Sequence, residues 1–186
     1  MSTRTMVLGA ILTALVVLLQ YMGSFIKFGP FAISLVLIPI VIGTATCGKV
    51  VGGWLGFIFG LVVLISGDAA AFLTVDAFGT VLTVLIKGAA CGFVSGLCYE
   101  GAIKLFKGKV YPAAVVSAIV CPLVNTGLFL LGCLLFFMDT ISQWAGGGNV
   151  ISYMFLVLVG ANFLVELAVN IVLSPVIVRI LKAVKR

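Results

Sequence analysis

Lys87 and Glu166 are the charged residues that fall well inside apolar stretches of this 186-residue chain, and they carry opposite signs. A charge at membrane depth costs about 2.5–3.5 kcal/mol on insertion scales and marks a functional site by default. Two asparagines belong with them. Asn162 and Glu166 are four residues apart, which puts both on one helix face, and Asn170 continues that stripe. At about 1.5 Å per residue, Lys87, Asn125 and Asn162 each lie roughly 15–18 Å from the same end of their apolar runs. Polar groups from three helices at one depth predict the floor of a shared pocket. Such a floor can take a ligand carboxylate, amide or amine. The same residues can instead form a Lys87–Glu166 ion pair that staples two helices together, and both readings stay open.

Other chemistry finds little footing. The chain has no histidine, so Ser-His and Cys-His nucleophile systems and histidine metal sites are excluded. The five cysteines, Cys47, Cys91, Cys98, Cys121 and Cys133, show no CxxC spacing and lie in or beside apolar runs, where small packing roles are expected. No metal and no bound cofactor are expected. No GxxxxGK[ST] loop is present, so the chain is not expected to be an enzyme or to hydrolyse ATP itself. The net charge of +6 comes from residues at the ends of apolar runs, which argues against a nucleic-acid partner and for a lipid bilayer.

The elements that must position these groups follow from composition. Hydrophobic residues make up 63% of the chain and charged residues 9%, with a mean hydropathy of +1.40. A soluble domain carries about 25% charged residues. The expected fold is an all-α integral membrane protein, one transmembrane domain over residues 1–186 with six transmembrane helices. The spans read as Met6–Met22, Phe31–Thr46, Val51–Ser66, Ala77–Ala102, Ala113–Phe137 and Ile151–Ile180. The first resembles a signal peptide, but no A-x-A site follows it and a first transmembrane helix is the better reading. Residues 67–76 read as a loop or a short re-entrant helix, and Met138–Val150 as a flexible loop containing Trp144 and three glycines.

Orientation comes from the cations. With the N-terminus inside, Arg4, Lys49, Lys104, Lys107, Lys109, Arg179, Lys182, Lys185 and Arg186 all fall on the inner side, and Lys27 alone falls in an outer segment. Short cytoplasmic loops collect Lys and Arg, so both termini are expected in the cytoplasm. Gly52, Gly56 and Gly60 form one small-residue ladder, and Gly88, Gly92 and Gly96 another. Glycines every fourth position let backbones approach in lipid, so the third and fourth spans are expected to touch there. Phe72, Phe78, Trp144 and Tyr153 fall near the outer mouth, as a lid or stacking wall, or as an interfacial aromatic belt.

Several segments resemble the substrate-binding S component of an energy-coupling factor (ECF) vitamin transporter. GAILTAL, with Ala10 and Ala14 spaced as Ala-x-x-x-Ala, resembles the small-residue face of that family's first helix. LVLIPIVIGTATCGKVVGGWLGFIFGLVVLI, CPLVNTGLFLLGCLLFF and NFLVELAVNIVLSPVIVRIL resemble the group that includes riboflavin and pantothenate binders. The resemblance covers nearly the whole chain. It implies a high-affinity binding subunit for uptake of a small vitamin or related micronutrient, sited in a prokaryotic plasma membrane. The partners it implies are a transmembrane T subunit, docked on Ala10 and Ala14, and two cytoplasmic ATPases that alone use ATP. Such a subunit topples in the membrane to carry its ligand inward. The family builds its site from spans four, five and six with the outer loops, which here places Lys87, Asn125, Asn162 and Glu166. Pantothenate, with its carboxylate and hydroxyls, is the first guess for the ligand, and folate, lipoate, pyridoxine, a queuine-like base or another small vitamin stay open beside it. A stand-alone ion-coupled or passive transporter and a structural membrane subunit are the alternatives.

Overall fold

The computed structural model describes residues 3–24, 27–28, 31–32 and 35–184. Helix α1 (Thr3–Gly23) is followed by a two-residue antiparallel pairing of β1 (Lys27–Phe28) with β2 (Phe31–Ala32). Next come α2 (Leu37–Cys47) and α3 (Lys49–Ile65), a single-turn α4 (Ala70–Leu73), α5 (Ala77–Leu105) and α6 (Val110–Phe136). The chain closes with α7 (Met138–Trp144), α8 (Val150–Tyr153), a π-helical turn over Met154–Leu158 and α9 (Gly160–Val184). Among the described residues, α1, α5, α6 and the stretch Asn162–Ile180 of α9 are long and apolar enough to cross a membrane. Lys185 and Arg186, counted for orientation, lie outside the described residues.

The stretch expected to span the membrane over Phe31–Thr46 is not one helix. Its start is paired in the β1–β2 hairpin, and α2 begins at Leu37; residues 33–34 lie outside the described residues. Pro39 accounts for the boundary. In mid-helix a proline loses a hydrogen bond and clashes with the preceding turn, at about 3 kcal/mol. As the third residue of α2 it lacks an N–H that has no helical partner anyway. Eleven residues rise about 16 Å, roughly half the hydrocarbon thickness.

Two loops are more ordered than their sequences suggest. Residues 70–73 form α4. The Met138–Val150 segment opens with the seven-residue α7, and its turn chemistry sits later, where Gly146 and Gly147 take φ of 58° and 87°. The last span is also broken: around the π turn, the Val159 N–H donates to the Met154 carbonyl at 3.2 Å.

Helices α3 and α5 form the tightest seam. A Cβ added to Gly56 would strike the Gly88 carbonyl, and one added to Gly92 would strike that of Gly52. One built on Gly60 would come within 2.8 Å of the Val84 carbonyl. The two ladders thus lie against each other backbone to backbone, in the order set by antiparallel helices. At the foot of the seam Gly96 meets Lys49, whose Nζ pairs with Glu100 at 3.0 Å on the surface. Helix α5 turns into α6 through a tight C-cap, in which Gly108 N–H donates to the Ile103 carbonyl at 2.8 Å and Lys107 takes a φ of 51°. That turn lays α6 antiparallel to α5, bringing Asn125 beside the Lys87 level.

The outside is apolar and the inside mixed. Val50, Leu135, Leu156 and Val172 are each more than 70% exposed, whereas Ser95, Ser117, Asn170 and Ser174 are buried. That distribution suits a lipid solvent, which covers large apolar side chains and leaves polar groups to be satisfied within the bundle.

Candidate functional site

One cavity of about 100 Å³ opens between α1, α3, α5, α6 and α9. A single water needs roughly 10–15 Å³ on this measure, so the space suits a small organic molecule. Lys87, Asn125, Asn162 and Glu166 all line it. Helices α5, α6 and α9 bring them together from positions far apart in the chain.

Each side chain has a local reason for its place. Asp76 caps α5 by accepting from the Gly79 N–H at 3.0 Å, and this fixes the helix register. Thr80, Thr83 and Lys87 then follow at i, i+3 and i+7 on one face, and all three line the cavity. On α6, buried Pro122 lies three residues before Asn125. It removes the N–H that would satisfy the Ala118 carbonyl and loosens the helix one turn below the site. On α9, the π turn resets the helix face just before Asn162 and Glu166; such turns recur at functional positions.

The Lys87 ammonium lies over two aromatic rings, 5.4 Å from the Phe59 centroid and 5.6 Å from that of Phe129. Both distances are within the range of cation–π attraction. Phe72, Phe137 and Phe163 complete the aromatic wall. Phe72 meets Phe129 edge-on at 5.7 Å and Phe137 at 4.9 Å. The buried Oδ1 atoms of Asn125 and Asn162 and the Oγ1 of Thr83 have no hydrogen-bond partner. Buried polar atoms are normally paired, so these three mark places where a ligand or water completes the site.

Two polar residues escaped the sequence reading. Gln20, 3% exposed, reaches from α1 and donates through Nε2 to Asp68 Oδ2 at 2.8 Å. Ser66 Oγ donates to the same oxygen at 2.9 Å. Both Gln20 and Asp68 line the cavity, and Gln20 Oε1 is buried without a partner. The signal for Gln20 was present: it is an amide inside an apolar helix.

The aromatic expectations divide. Trp144, 40% exposed, stands one layer outside the cavity with its ring edge-on to Phe72 at 5.5 Å. Tyr153 packs partly buried against the apolar cluster of Phe137, Ile141 and Met154 rather than lining the cavity. Phe78 does not line it either: it is 72% exposed, because two residues before Thr80 is about 200° around the helix. Asn170 lies beneath the floor, fully buried, with Nδ2 donating to the Glu166 carbonyl at 2.8 Å.

Ala10 and Ala14 are exposed on α1, opposite the buried stripe of Gly9, Leu12, Val16 and Gln20. All five cysteines are free; Cys91, Cys121 and Cys133 are fully buried. No group of three metal-ligating side chains occurs among the described residues.

No curated protein and no solved structure matches the chain. A family model does: the one described as ECF transporter, substrate-specific component, matches residues 4–178.

Proposed function

The chain belongs to the family of ECF transporter substrate-specific components, and from that premise we propose that its cavity binds a small micronutrient for uptake across a prokaryotic cell membrane. The protein is a substrate-specific membrane subunit of a transporter. The observation that carries the siting is the convergence of Lys87, Asn125, Asn162 and Glu166 on one aromatic-walled cavity with buried oxygens left unpartnered. A pocket of that character, largely apolar with a few convergent polar groups, is the usual form of a small-molecule site.

The remaining reading follows from the same premise. All six apolar stretches lie in the bilayer, α2 reaching only part of the way, and both termini face the cytoplasm as the distribution of lysines and arginines directs. The cavity then opens outward. A T subunit docks on the exposed Ala10–Ala14 face of α1, and two cytoplasmic ATPases supply the energy. Residues 1–186 form one transmembrane domain with no cofactor of its own.

Binding measured by calorimetry on detergent-purified protein tests the siting. Asn125→Leu and Asn162→Leu should each weaken ligand binding at least about tenfold, equivalent to about 1.4 kcal/mol. Unchanged affinity in both would move the site elsewhere.

A further inference from the structure

Away from the cavity, we infer that the turn between α5 and α6 is a binding site for an anionic phospholipid of the surrounding bilayer, with Lys104, Lys107 and Lys109 as the contacts of its phosphodiester headgroup. Depth, charge and the flanking apolar side chains carry this.

Depth comes from helix length. Helix α5 runs 29 residues from its Asp76 cap, and at about 1.5 Å per residue it rises about 43 Å. A bilayer with both headgroup layers is about 40–45 Å thick. With Asp76 in one headgroup layer, Lys104 and the turn after it reach the other. Lys104, Lys109 and Arg179 lie roughly 24–26 Å along their helices from Lys87, Asn125 and Asn162. The exposed Arg179 at the end of α9 therefore joins the same layer.

Charge at this end is one-sided. The chain has five acidic side chains. Asp68, Asp76 and Asp139 stand at the opposite end of the bundle, and Glu166 lines the cavity. Glu100 alone shares the end of the turn, and Lys49 pairs with it at 3.0 Å. Lys104, Lys107 and Lys109 are exposed. The chain reverses between them, with Gly108 N–H donating to the Ile103 carbonyl at 2.8 Å and Lys109 N–H to that of Phe106 at 3.1 Å. Three cations are thus gathered at one corner. Each cation close to an anionic lipid surface strengthens binding about fivefold.

The flanks choose the partner. Leu105 and Tyr111, on either side of the turn, are more than half exposed. Tyrosine favours the level where acyl chain meets headgroup, and lysine stems cross it to set their ammonium in the headgroup layer. An acidic protein surface complements the lysines alone. A phospholipid complements the lysines with its phosphate, and Leu105 and Tyr111 with its acyl chains.

The test places the full chain in nanodiscs of phosphatidylglycerol and phosphatidylcholine in equal amounts and identifies the lipids it retains by native mass spectrometry. The wild type should retain phosphatidylglycerol in preference, and the preference should fade as salt is raised. The triple variant Lys104→Gln, Lys107→Asn, Lys109→Gln should lower phosphatidylglycerol retention at least about tenfold and leave phosphatidylcholine unchanged. Lys107→Asn alone should lower it about fivefold. Asparagine suits the φ of 51° at that position, so this variant keeps the turn should the triple one fail to fold. Equal retention of the two lipids by the wild type overturns the inference, as does a preference that survives the substitutions. Substitutions that sever co-purification with partner proteins while lipid retention is unchanged also overturn it, making the turn a protein contact. No readout involves the cavity, so failure here leaves the uptake reading standing.

Discussion

Gln20 of the first helix hydrogen-bonds Asp68, in the segment that follows the third, at 2.8 Å. The contact joins the helix that presents Ala10 and Ala14 outward to the rim of the cavity, so one side of α1 faces the cavity and the other faces the surroundings. Hydrogen bonds to charged groups contribute about 1.5–3 kcal/mol. Gln20→Leu should lower stability by that order in denaturation experiments in detergent, because Asp68 then loses a buried donor. A variant as stable as the wild type would show that water replaces the amide.

The α3–α5 seam makes a steric prediction. Gly56→Leu or Gly92→Leu has no space to enter without parting the helices, because the opposing atoms are backbone. Overpacking of this kind costs about 1–3 kcal/mol or more, and yield of folded protein should fall sharply. Gly101 has no neighbour within 4 Å of an added Cβ. Gly101→Ala should therefore be neutral or stabilising by up to about 1 kcal/mol. Size-exclusion profiles of the three variants compare them directly.

Docking and binding should separate on α1. Ala10→Trp and Ala14→Trp alter an exposed face that does not line the cavity. Ligand affinity should remain within about threefold of wild type. Co-purification with the T subunit and the ATPases should be lost. An intact complex carrying both tryptophans would place the docking face elsewhere.

Trp144 offers an optical readout. The chain has two tryptophans, Trp54 and Trp144, and Trp144 touches the cavity-lining Phe72 edge-on. In a Trp54→Phe protein, ligand binding should change the emission intensity or maximum. The Trp144→Phe protein should show no comparable change, although Trp54 still emits. Equal responses from the two proteins would mean that the signal reports a global change.

Much of the cavity was legible because polar groups stand out against an apolar background. Lys87, Asn125, Asn162 and Glu166 were visible for that reason, and all four line the cavity. The glycine ladders were visible through their four-residue period. Asp68 was not, because it stands in the loop after a span; Gln20 carries a signal, an amide inside an apolar helix, but lies close enough to the end of its span to read as interfacial. The aromatic wall was hidden by abundance: with 14 phenylalanines, spacing alone does not select the five that turn inward. The start of α2 depended on which turn of the helix Pro39 occupies. The π turn in the last span has no strong sequence mark and arises from packing.

The seam between α3 and α5 also sets where the molecule is stiff. Contacts made by backbone atoms have no rotamers to exchange, so these two helices deform together or not at all. Phe59 sits beside Gly60 on one, and Lys87 beside Gly88 on the other, and the 5.4 Å between ring and ammonium is inherited from that rigid pair. The opposite wall hangs from α9 below a wide, irregular turn. Compliance in the cavity is thus one-sided: any molecule entering it would meet a fixed template on one side and a yielding wall on the other.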